Sequence, residues 1–353
     1  MSSQAKAIVI GSTGYVGGEL LRLIAGHPQL DLGAAVSTSR AGDSLASLYP
    51  ALAPHYPVES FETLEGALDT VSAGEPVAIF SAAPHGASAA TMARLLKAAD
   101  DAGTDVHAVD VSADFRYPTA AGFADVYGAD HAAPELLDSF TCAVPEHLAE
   151  SDGRHVGHPG CFATAILLAT VPLFANSLVH SDVFVSAITG STGSGRSPSA
   201  GTHHPERHSN LYAYKVLEHR HTPEIENLIR SASGATANVR FIPHSGPFAR
   251  GIYATVQARL TQTHEAEAVR ELYRSYYAKS PFVRIVDGTP RLKNVVASNY
   301  SHIGVAVSVE TVAVTCAIDN LVKGAAGGAV QWMNRLFCWP EDTGLGAPSP
   351  GWT

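Results

Sequence analysis

The sequence predicts an α/β protein that combines a Rossmann-type, doubly wound parallel sheet domain with an α+β domain. Three observations lead to this prediction. The 353 residues exceed what one typical hydrophobic core accommodates. Strands alternate with helices over the first third of the chain, and after residue 161 the pattern changes to longer β-branched segments. The predicted boundaries are therefore 1–160 with 320–353 for the first domain, and 161–319 for the second.

The first domain opens with a strand, a turn and a helix. An apolar strand at 5–10 precedes a glycine-rich turn and an amphipathic helix, as in the first βα unit of nucleotide-binding folds. Further strands are predicted at 30–37, 76–86 and 105–116, with a helix at 90–100 between the last two. This alternation predicts a mostly parallel sheet with helices on both faces.

The second domain has a different pattern. Beyond the helix that follows Cys161, four alternating or β-branched segments predict a larger antiparallel or mixed sheet. A final helix at 320–337 is separate from these strands, and we expect it to return to the first domain. Its glycines would weaken an isolated helix, so they indicate close packing or ligand approach.

Composition and charge exclude several classes of protein. A hydrophobic content of 46% with 16% charged residues is typical of a compact globular protein. The net charge of −10 argues against a nucleic-acid-binding protein, which needs a basic face. No apolar stretch has the length of a membrane span and no secretory leader is recognisable, so we expect neither secretion nor membrane insertion. Four cysteines without a CxxC pair favour reduced thiols and a cytoplasmic location.

Two features of the first domain predict a dinucleotide site. Residues 11–17 (GSTGYVG) place glycines where backbone amides and a helix start can bind a pyrophosphate. The alternative is a tight turn that binds nothing. The second strand ends in Ser37, Ser39 and Arg40 instead of the acidic residue that would select NAD. Hydroxyls and a guanidinium suit the 2′-phosphate of NADP, against the alternative of an ordinary polar loop.

Cys161 is the candidate nucleophile. It follows a proline–glycine turn and directly precedes an apolar segment that we predict to be helical. A thiol at a helix start meets unpaired N–H groups and the positive end of the helix dipole, which favour the nucleophilic thiolate. The alternative is a buried structural cysteine, since free cysteines are often buried.

Histidines are the candidate proton-transfer groups. The chain has 17, several of them within 202–210 and 218–228. His219 and His221 precede Thr222-Pro223-Glu224, which predicts a helix N-cap, a first-turn proline and an acidic first turn. A histidine fixed at a helix start suits general acid–base catalysis, with plain surface or core histidines as the alternative. We expect no metal, because no carboxylate or cysteine stands at ligand spacing and the neighbouring arginines would repel a cation.

Four arginines favour an anionic substrate. Arg116 closes a predicted strand, and Arg196, Arg207 and Arg250 lie in polar turns. Guanidinium groups bind phosphate and carboxylate in bidentate fashion, although any one of them taken alone is better explained as a structural ion-pair residue. Together with the NADP features and Cys161, they favour a phosphate- or carboxylate-bearing substrate.

Taken together, these segments resemble the N-acetyl-γ-glutamyl-phosphate reductases of arginine biosynthesis, within the aspartate-semialdehyde dehydrogenase group. The resemblance covers nearly the whole chain and rests on the order of GSTGYVGGELLRLIAGHP, FSAAPHGAS, DVSADFR, HPGCFATA, HRHTPEIE and DNLVKGAAGGAVQWMN. Phe162 and Ala163 stand where the nucleophile motif usually has tyrosine and proline. The HHPERHSN segment is similar to relatives that act on aminoadipate or glutamate carried on a small acidic carrier protein.

The resemblance implies reduction of an acyl phosphate by NADP(H) through a thioester on Cys161. It also implies a dehydrogenase substrate and dimerisation domain, and a homodimer or homotetramer. His221 is the implied acid/base, with His219 the less favoured choice. The implied substrate contacts are Arg116, His219, Arg207 and Arg196. The implied cofactor contacts are Gly11, Ser12, Thr13, Gly14, Tyr15, Val16, Gly17, Ser37, Ser39, Arg40, Pro84 and Asn320.

Two other functions stay open at this point. One is the same chemistry on an acyl group linked to an acidic carrier protein. The other is a non-catalytic NADP-binding sensor that retains the fold, against which the set of Cys161, His221 and Arg116 argues.

Overall fold

A computed structural model describes residues 4–148 and 153–352, which form two compact units. The first contains residues 4–143, 153–158 and 326–346, and the second contains residues 144–148, 159–325 and 347–352. These limits differ from the predicted boundaries at the margins. Residues 144–148 and 320–325 both belong to the second unit, where Glu146 and Lys323 form a buried ion pair.

The first unit is built on a seven-stranded sheet in which all neighbouring strands are parallel. Its order, β3-β2-β1-β4-β5-β7-β6, is the doubly wound arrangement predicted from the sequence. The strands are β1 (Ala5–Ile10), β2 (Leu30–Val36), β3 (Phe61–Glu62), β4 (Val77–Ser81), β5 (Val106–Asp110), β6 (Phe140–Cys142) and β7 (His155–Gly157). The helices are α1 (Tyr15–Ala25), α2 (Leu45–Leu48), α3 (Leu64–Ser72), α4 (Ser88–Ala102), α5 (Ala120–Tyr127) and, at the end of the chain, α10 (Gly327–Leu336).

Strands β4 and β5 are shorter than predicted, ending at Ser81 and Asp110 rather than at 86 and 116. The reason is that side chains take over the hydrogen bonds beyond these strand ends. The Asp114 carboxylate accepts hydrogen bonds from Gly86 N at 2.7 Å and from Ala89 N at 2.9 Å. Asp114 therefore stabilises the start of α4 next to the carboxyl end of β4.

The second unit contains a seven-stranded mixed sheet, which confirms the predicted α+β architecture. Its order is β12-β13-β14-β11-β8-β10-β9, with β8–β10 and β12–β13 parallel and the other pairs antiparallel. The strands are β8 (Val179–Thr189), β9 (Tyr212–Ala213), β10 (Asn238–Ser245), β11 (Ile252–Leu260), β12 (Val283–Ile285), β13 (Ser301–Ser308) and β14 (Thr311–Ile318). The helices are α6 (Cys161–Ala175), α7 (His204–Arg207), α8 (His221–Ser233) and α9 (Ala266–Tyr276).

Helix α6 is the central element of the second unit. Every residue from Phe162 to Phe174 is buried, as expected for a helix that is apolar on all sides. Pro172 lies inside this helix and has no N–H for the carbonyl four residues earlier, that of Leu168. The Tyr277 hydroxyl donates a hydrogen bond to that carbonyl at 2.8 Å. The proline is therefore accommodated without leaving a buried acceptor unsatisfied.

The C-terminal helix starts later than predicted. Residues Val322–Ala326 form a single π-helical turn, and the regular helix α10 begins only at Gly327. The turn is fixed by Asp319, whose carboxylate accepts hydrogen bonds from Leu321 N and Val322 N at 2.8 and 3.0 Å. Helix α10 packs against β5 and α1 of the first unit.

Buried imidazoles predict that acidification destabilises the fold. His155 is only 6% exposed, and its Nδ1 accepts a hydrogen bond from Ala108 N. Burial lowers the pKa of His155 to about 4, from 6.5 in the unfolded chain. Protons therefore bind the unfolded state preferentially between pH 6.5 and pH 4, and each such group lowers the free energy of unfolding by about 1.4 kcal/mol per pH unit there.

Urea unfolding of the wild type and His155→Gln between pH 7 and pH 5 measures this contribution. We expect the stability of the variant to fall less steeply with decreasing pH, whatever its stability at pH 7. Parallel pH dependences for the two proteins would contradict the assignment of a neutral, buried imidazole to His155.

Candidate active site

The second unit contains a pocket of about 390 Å³ around Cys161. It lies beside Thr189 and Ser245, the last residues of the parallel strands β8 and β10, which is the end of a parallel pair where ligands usually bind. None of the lining residues that the structure describes is acidic, while a lysine, an arginine and two histidines are present. The lining comprises Cys161, Phe162, Thr189, Gly193, Ser194, Tyr212, Tyr214, Lys215, His219, Arg220, His221 and Ser245.

Cys161 is the first residue of helix α6 and is partly exposed to this pocket. Gly160 is the N-cap residue, so the thiol lies beside the first N–H groups of a fifteen-residue helix. The positive end of the helix dipole and these N–H groups favour the thiolate. The position differs from that of Cys316, which is fully buried and whose pKa is raised to about 12 by burial.

Glu224 links the two helices that begin at this pocket. Its carboxylate is buried in the first turn of α8 and accepts a hydrogen bond from Gly160 N at 2.7 Å. The residue before Cys161 is thereby held to the helix that carries His221. A carboxylate that accepts a backbone N–H in a buried environment gives one of the stronger hydrogen bonds in proteins.

The two histidines lie side by side, with ring centroids 4.7 Å apart. Helix α8 begins at His221, so the prediction of Thr222 as its N-cap was wrong. Pro223 is then the third helical residue, where its missing N–H costs no intrahelical bond because the first N–H groups of a helix have no such partner. His219 closes the turn before the helix, and its Nδ1 accepts a hydrogen bond from His221 N at 3.2 Å.

The environment fixes the ionisation of His219. Burial lowers the pKa of His219 to about 4, and the charges of Arg220 and Lys215 add to this effect. The ring is therefore neutral at neutral pH. Since Nδ1 accepts the hydrogen bond from His221 N, the proton resides on Nε2.

Phe162 packs against both histidines. Its ring centroid lies 5.7 Å from that of His219, 6.4 Å from that of His221 and 5.2 Å from that of Phe241, in edge-to-face arrangements. The phenylalanine that departs from the usual motif therefore forms an apolar wall behind the imidazoles.

Behind Cys161 lies the π-helical turn. A Cβ atom on Gly324 would lie 2.8 Å from Cys161 Cβ, so only glycine allows this turn to pack on the cysteine. The next residue towards the N-terminus, Lys323, forms an ion pair with Glu146 at 2.5 Å, and both side chains are almost completely inaccessible to solvent. The ion pair therefore fixes the turn that supports the thiol.

In the first unit, residues 11–14 form a compact turn between β1 and α1. Gly11 has φ = +72°, and a Cβ atom there would lie 2.5 Å from Ala82 O. A Cβ atom on Gly17 would lie 2.5 Å from Gly11 O, whereas one on Gly14 would meet nothing closer than 3.5 Å. The backbone is thus closely packed on one side and open at Gly14, as the approach of a pyrophosphate requires.

Other predicted cofactor contacts surround this turn. Ser12 is buried and donates a hydrogen bond to Val36 O, which ties the turn to β2. Ser37 Oγ accepts hydrogen bonds from Ser39 N and Arg40 N, so it shapes the loop after that strand. Arg40 is exposed and pairs with Asp43 at 3.2 Å. The remaining first-unit positions lie on the turn, at the start of α1 and in the loop after β4: Thr13, Tyr15, Val16 and Pro84.

The predicted arginines occupy different environments. Arg116, in the first unit, is buried and donates hydrogen bonds to the carbonyl groups of His158 and Val111. Arg196 is exposed in a loop of the second unit. Arg207 in α7 is only 7% exposed, and its three guanidinium nitrogens have no hydrogen-bond partner in the described part of the chain.

Asn320 and Arg250 belong to one hydrogen-bonded corner of the second unit. The Asn320 side chain accepts from Gly251 N at 2.7 Å and donates to Thr192 Oγ1 at 3.0 Å. Arg250 donates to the Asp319 carboxylate, so it is a structural ion-pair residue here.

Sequence reasoning missed several residues of the site. Lys215, Arg220 and Tyr214 line the pocket, and Glu224 accepts a hydrogen bond from Gly160 N next to Cys161, but none of them was predicted to act in the site. Glu224 stands in the HRHTPEIE motif, and its position three residues after His221 places both on one helix face, which was a usable signal.

Two further findings concern the described residues, 4–148 and 153–352. They contain no group of three or more histidine, cysteine, aspartate or glutamate side chains placed to hold a metal ion. No helix among them is both long and apolar enough to cross a membrane.

Family models of known proteins match both parts of the chain. The model described as "Semialdehyde dehydrogenase, NAD binding domain" matches residues 6–150, and that described as "Semialdehyde dehydrogenase, dimerisation domain" matches residues 161–320. A curated N-acetyl-gamma-glutamyl-phosphate reductase of Acidithiobacillus ferrooxidans is 38% identical over 346 residues, which cover 96% of this chain and 97% of the relative. Another from Pelotomaculum thermopropionicum is 37% identical over 350 residues, 97% and 98% of the two chains.

Solved structures share the fold at much lower identity. Aspartate semialdehyde dehydrogenase II complexed with ASA from Vibrio cholerae superposes with a TM-score of 0.69 at 14% identity, covering 96% of this chain and 99% of that one. The Candida albicans aspartate semialdehyde dehydrogenase, determined with NADP, gives a TM-score of 0.68 at 15% identity, with coverages of 95% and 99%.

The ion pair behind the thiol yields a stability prediction. Lys323→Met leaves the buried Glu146 carboxylate without its cation, so we expect the free energy of unfolding to fall by about 3–5 kcal/mol. The double variant Lys323→Met/Glu146→Gln removes both charges, and we expect it to recover most of that loss. Urea unfolding followed by circular dichroism measures both changes. A double variant no more stable than Lys323→Met would show that the two charges do not compensate each other.

Proposed function

Because the chain belongs to the N-acetyl-γ-glutamyl-phosphate reductase family, we propose that it reduces N-acetyl-γ-glutamyl phosphate to N-acetylglutamate 5-semialdehyde and phosphate, with NADPH as reductant. The observation that carries this proposal is the position of Cys161. Its thiol lies at a helix start in a pocket that it shares with two imidazoles, and the described lining of this pocket contains cations and no acid. Such a pocket suits a thiol nucleophile that attacks an anionic acyl phosphate.

In the first half-reaction, the thiolate of Cys161 attacks the acyl carbonyl. A carbon–sulfur bond forms, the carbon–oxygen bond to phosphate breaks, and phosphate leaves with the electron pair of that bond. The product is a thioester on Cys161. The N–H groups at the start of α6 lie next to Cys161 and are proposed to stabilise the negative charge that develops on the carbonyl oxygen. Stabilisation by such fixed donors is commonly the largest single contribution to catalysis.

The first unit supplies the residues that would hold the cofactor. The backbone of 11–14 suits the pyrophosphate, and Ser37, Ser39 and Arg40 suit the 2′-phosphate of NADP. When bound, the nicotinamide supplies the hydride for reduction of the thioester. The thiohemiacetal on Cys161 then collapses: its hydroxyl proton passes to His221, the carbon–sulfur bond breaks, and the aldehyde is released as the thiolate is regenerated.

The two histidines take different roles in this proposal. His219 has its Nδ1 occupied by the His221 amide and is neutral, so its Nε2–H acts as a hydrogen-bond donor to substrate oxygen. His221, at the first position of α8, is assigned the proton transfers: it takes up the thiol proton and returns it to the developing alkoxide. Arg116 and Arg196 are retained as proposed contacts to substrate anions.

A cytoplasmic location is part of the proposal. None of the four cysteines forms a disulfide, and a thiol nucleophile requires a reducing compartment. NADPH-dependent biosynthetic chemistry takes place in such a compartment.

A second candidate substrate is an acyl phosphate presented on an acidic carrier protein. The observation that favours it is the segment 195–211, which joins the pocket residues Ser194 and Tyr212. This segment carries two arginines and three histidines against one glutamate, and the Arg207 guanidinium is buried without a hydrogen-bond partner among the described residues. A carboxylate from a carrier would compensate that charge. Assay of the wild type with free N-acetylglutamate semialdehyde, phosphate and NADP⁺ separates the two substrates, since a carrier-dependent enzyme would not turn over the free aldehyde.

Self-association is proposed through the open face of the mixed sheet. Phe184, Ile242 and Thr255 line a groove on neighbouring strands, and Phe184 is 60% exposed. The opposite face of these strands carries the buried side chains that pack on α6 and α8. A second copy of this chain would bury the groove, in keeping with the dimerisation-domain model that matches this part of the chain.

The thioester mechanism predicts that Cys161→Ser abolishes turnover. The hydroxyl of serine is a far weaker nucleophile than a thiolate, so we expect aldehyde- and phosphate-dependent reduction of NADP⁺ to fall below detection. NADPH binding, measured by fluorescence titration, is expected to persist because all the proposed cofactor residues except Asn320 lie in the other unit. In the wild type, iodoacetamide at pH 7 is expected to label Cys161 much faster than Cys316. Appreciable turnover by the serine variant would refute the assignment.

The proposed interface predicts that Phe184→Asp yields monomers. A charge in the centre of an apolar contact is expected to weaken self-association by at least tenfold, because the carboxylate would be desolvated on assembly. Analytical ultracentrifugation over a range of concentrations measures the effect. Val58→Asp, at an apolar position of the first unit that is 85% exposed, is the control and is expected to associate like the wild type. An unchanged sedimentation profile for Phe184→Asp would exclude this face as the interface.

A further inference from the structure

Lys215 is a cation at the pocket whose role the reaction described so far does not explain. It lines the same pocket as Cys161 and is exposed. Its ammonium forms no hydrogen bond or ion pair with any residue that the structure describes. No acidic side chain among the described residues lines this pocket, so the charge of Lys215 is available to a ligand.

The backbone around Lys215 is strained. Lys215 has φ = +43° and Leu217 has φ = +62°, both in the left-handed region that non-glycine residues rarely occupy. The segment is held in place along β10, where Tyr214 N donates to Pro243 O and Leu217 N donates to Phe241 O, both at 3.1 Å. Strain of this kind persists only where the surroundings impose it, and it clusters at ligand-binding sites.

The charge of Lys215 acts on the interior of the pocket. Burial is the main cause of the low pKa of His219, and Lys215 is one of the two cations that lower it further. The lysine is therefore electrostatically coupled to a ring that lines the pocket next to His221.

The proposed substrate presents two anionic groups to this pocket. The phosphate is attached to the carbonyl that Cys161 attacks, so it must lie beside the thiol. The α-carboxylate lies at the other end of the carbon chain. Arg220 adjoins His221, and its planar fork matches a phosphate, whereas a lysine presents a flexible point charge.

We propose that Lys215 binds the α-carboxylate of the substrate and thereby determines specificity for amino-acid-derived acyl groups. This proposal rests on the proposed function. It makes Lys215 a residue that contacts substrate in both half-reactions, because the carboxylate stays on the acyl chain after phosphate has left.

The reverse reaction separates the two anions, since the aldehyde carries the carboxylate and phosphate is a second substrate. For Lys215→Met we expect the KM of N-acetylglutamate semialdehyde to rise about 10- to 100-fold, with the KM of phosphate unchanged, because a hydrogen bond to a charged group is lost. Lys215→Arg keeps the charge and is expected to restore most of the affinity. Lys279→Met, which removes an exposed charge outside the pocket, is the matched control and is expected to behave like the wild type.

An aldehyde without the carboxylate gives the complementary measurement. The wild type is expected to prefer N-acetylglutamate semialdehyde over 4-acetamidobutanal in kcat/KM by 10-fold or more, and Lys215→Met is expected to lose this preference. An increase confined to the KM of phosphate would assign Lys215 to the phosphate and overturn the proposal. Unchanged constants for both substrates would overturn it as well.

A measurement without turnover keeps this test independent of the proposed function. Cys161 is alkylated with 5-bromo-4-oxopentanoate or with its methyl ester; the thiolate displaces bromide, so that a carbon–sulfur bond forms and the carbon–bromine bond breaks. We expect the wild type to react faster with the acid than with the ester, and Lys215→Met to lose that preference. If the wild type failed to oxidise the free aldehyde but still reacted faster with the acid than with the ester, the proposed substrate would be wrong. The proposed carboxylate-binding role of Lys215 would nevertheless stand, provided that Lys215→Met lost the preference. An equal acid-to-ester ratio in both proteins would refute the site itself.

Discussion

The burial of helix α6 on all sides is the constraint on which the second unit depends. A helix without a polar face must be covered by other elements around its whole circumference, and here β8, β11, β14, α8 and α9 provide that cover. Only its two ends reach solvent in the described part of the chain: Ala175 is exposed at the C-terminal end, and at the N-terminal end Cys161 borders the pocket. The N-terminal end of this buried helix thus brings a thiol and the positive end of the helix dipole to one point at the pocket.

A helix buried so completely has to satisfy every polar group internally, and the tyrosines of the α9 region do this. The Tyr277 hydroxyl donates to Leu168 O, the acceptor left by Pro172, and it accepts a hydrogen bond from His147 Nε2 at 2.9 Å. Burial lowers the pKa of His147 to about 4, so this ring stays neutral in its contact. Next to it, Glu146 pairs with Lys323 under the turn that packs on Cys161. Tyr277, His147, Glu146 and Lys323 thus form one connected group, which satisfies a buried carbonyl of α6 and supports the turn that packs on Cys161.

The fold was largely predictable from the sequence, and the reasons are local. The turn at 11–17 and the alternation of strands and helices predicted the parallel sheet, because both signals lie within short segments. The pairing of Glu146 with Lys323 was not predictable, since 177 positions separate them and neither belongs to a charge pattern. The start of α8 was placed at Thr222 because threonine before proline suggests a cap, whereas the structure begins the helix at His221. Lys215 was not predicted as a site residue, because no sequence pattern indicates its left-handed backbone conformation.

The charge distribution explains how an acidic protein can select an anionic ligand. The chain carries a net charge of −10, yet the pocket around Cys161 contains Lys215, Arg220 and no acidic side chain among its described lining. At physiological ionic strength, charges beyond about 8 Å are largely screened, so a small anion inside the pocket interacts with the local cations and not with the net charge. The cations of the pocket, rather than the net charge of the chain, can therefore decide which end of a small anionic substrate faces the thiol.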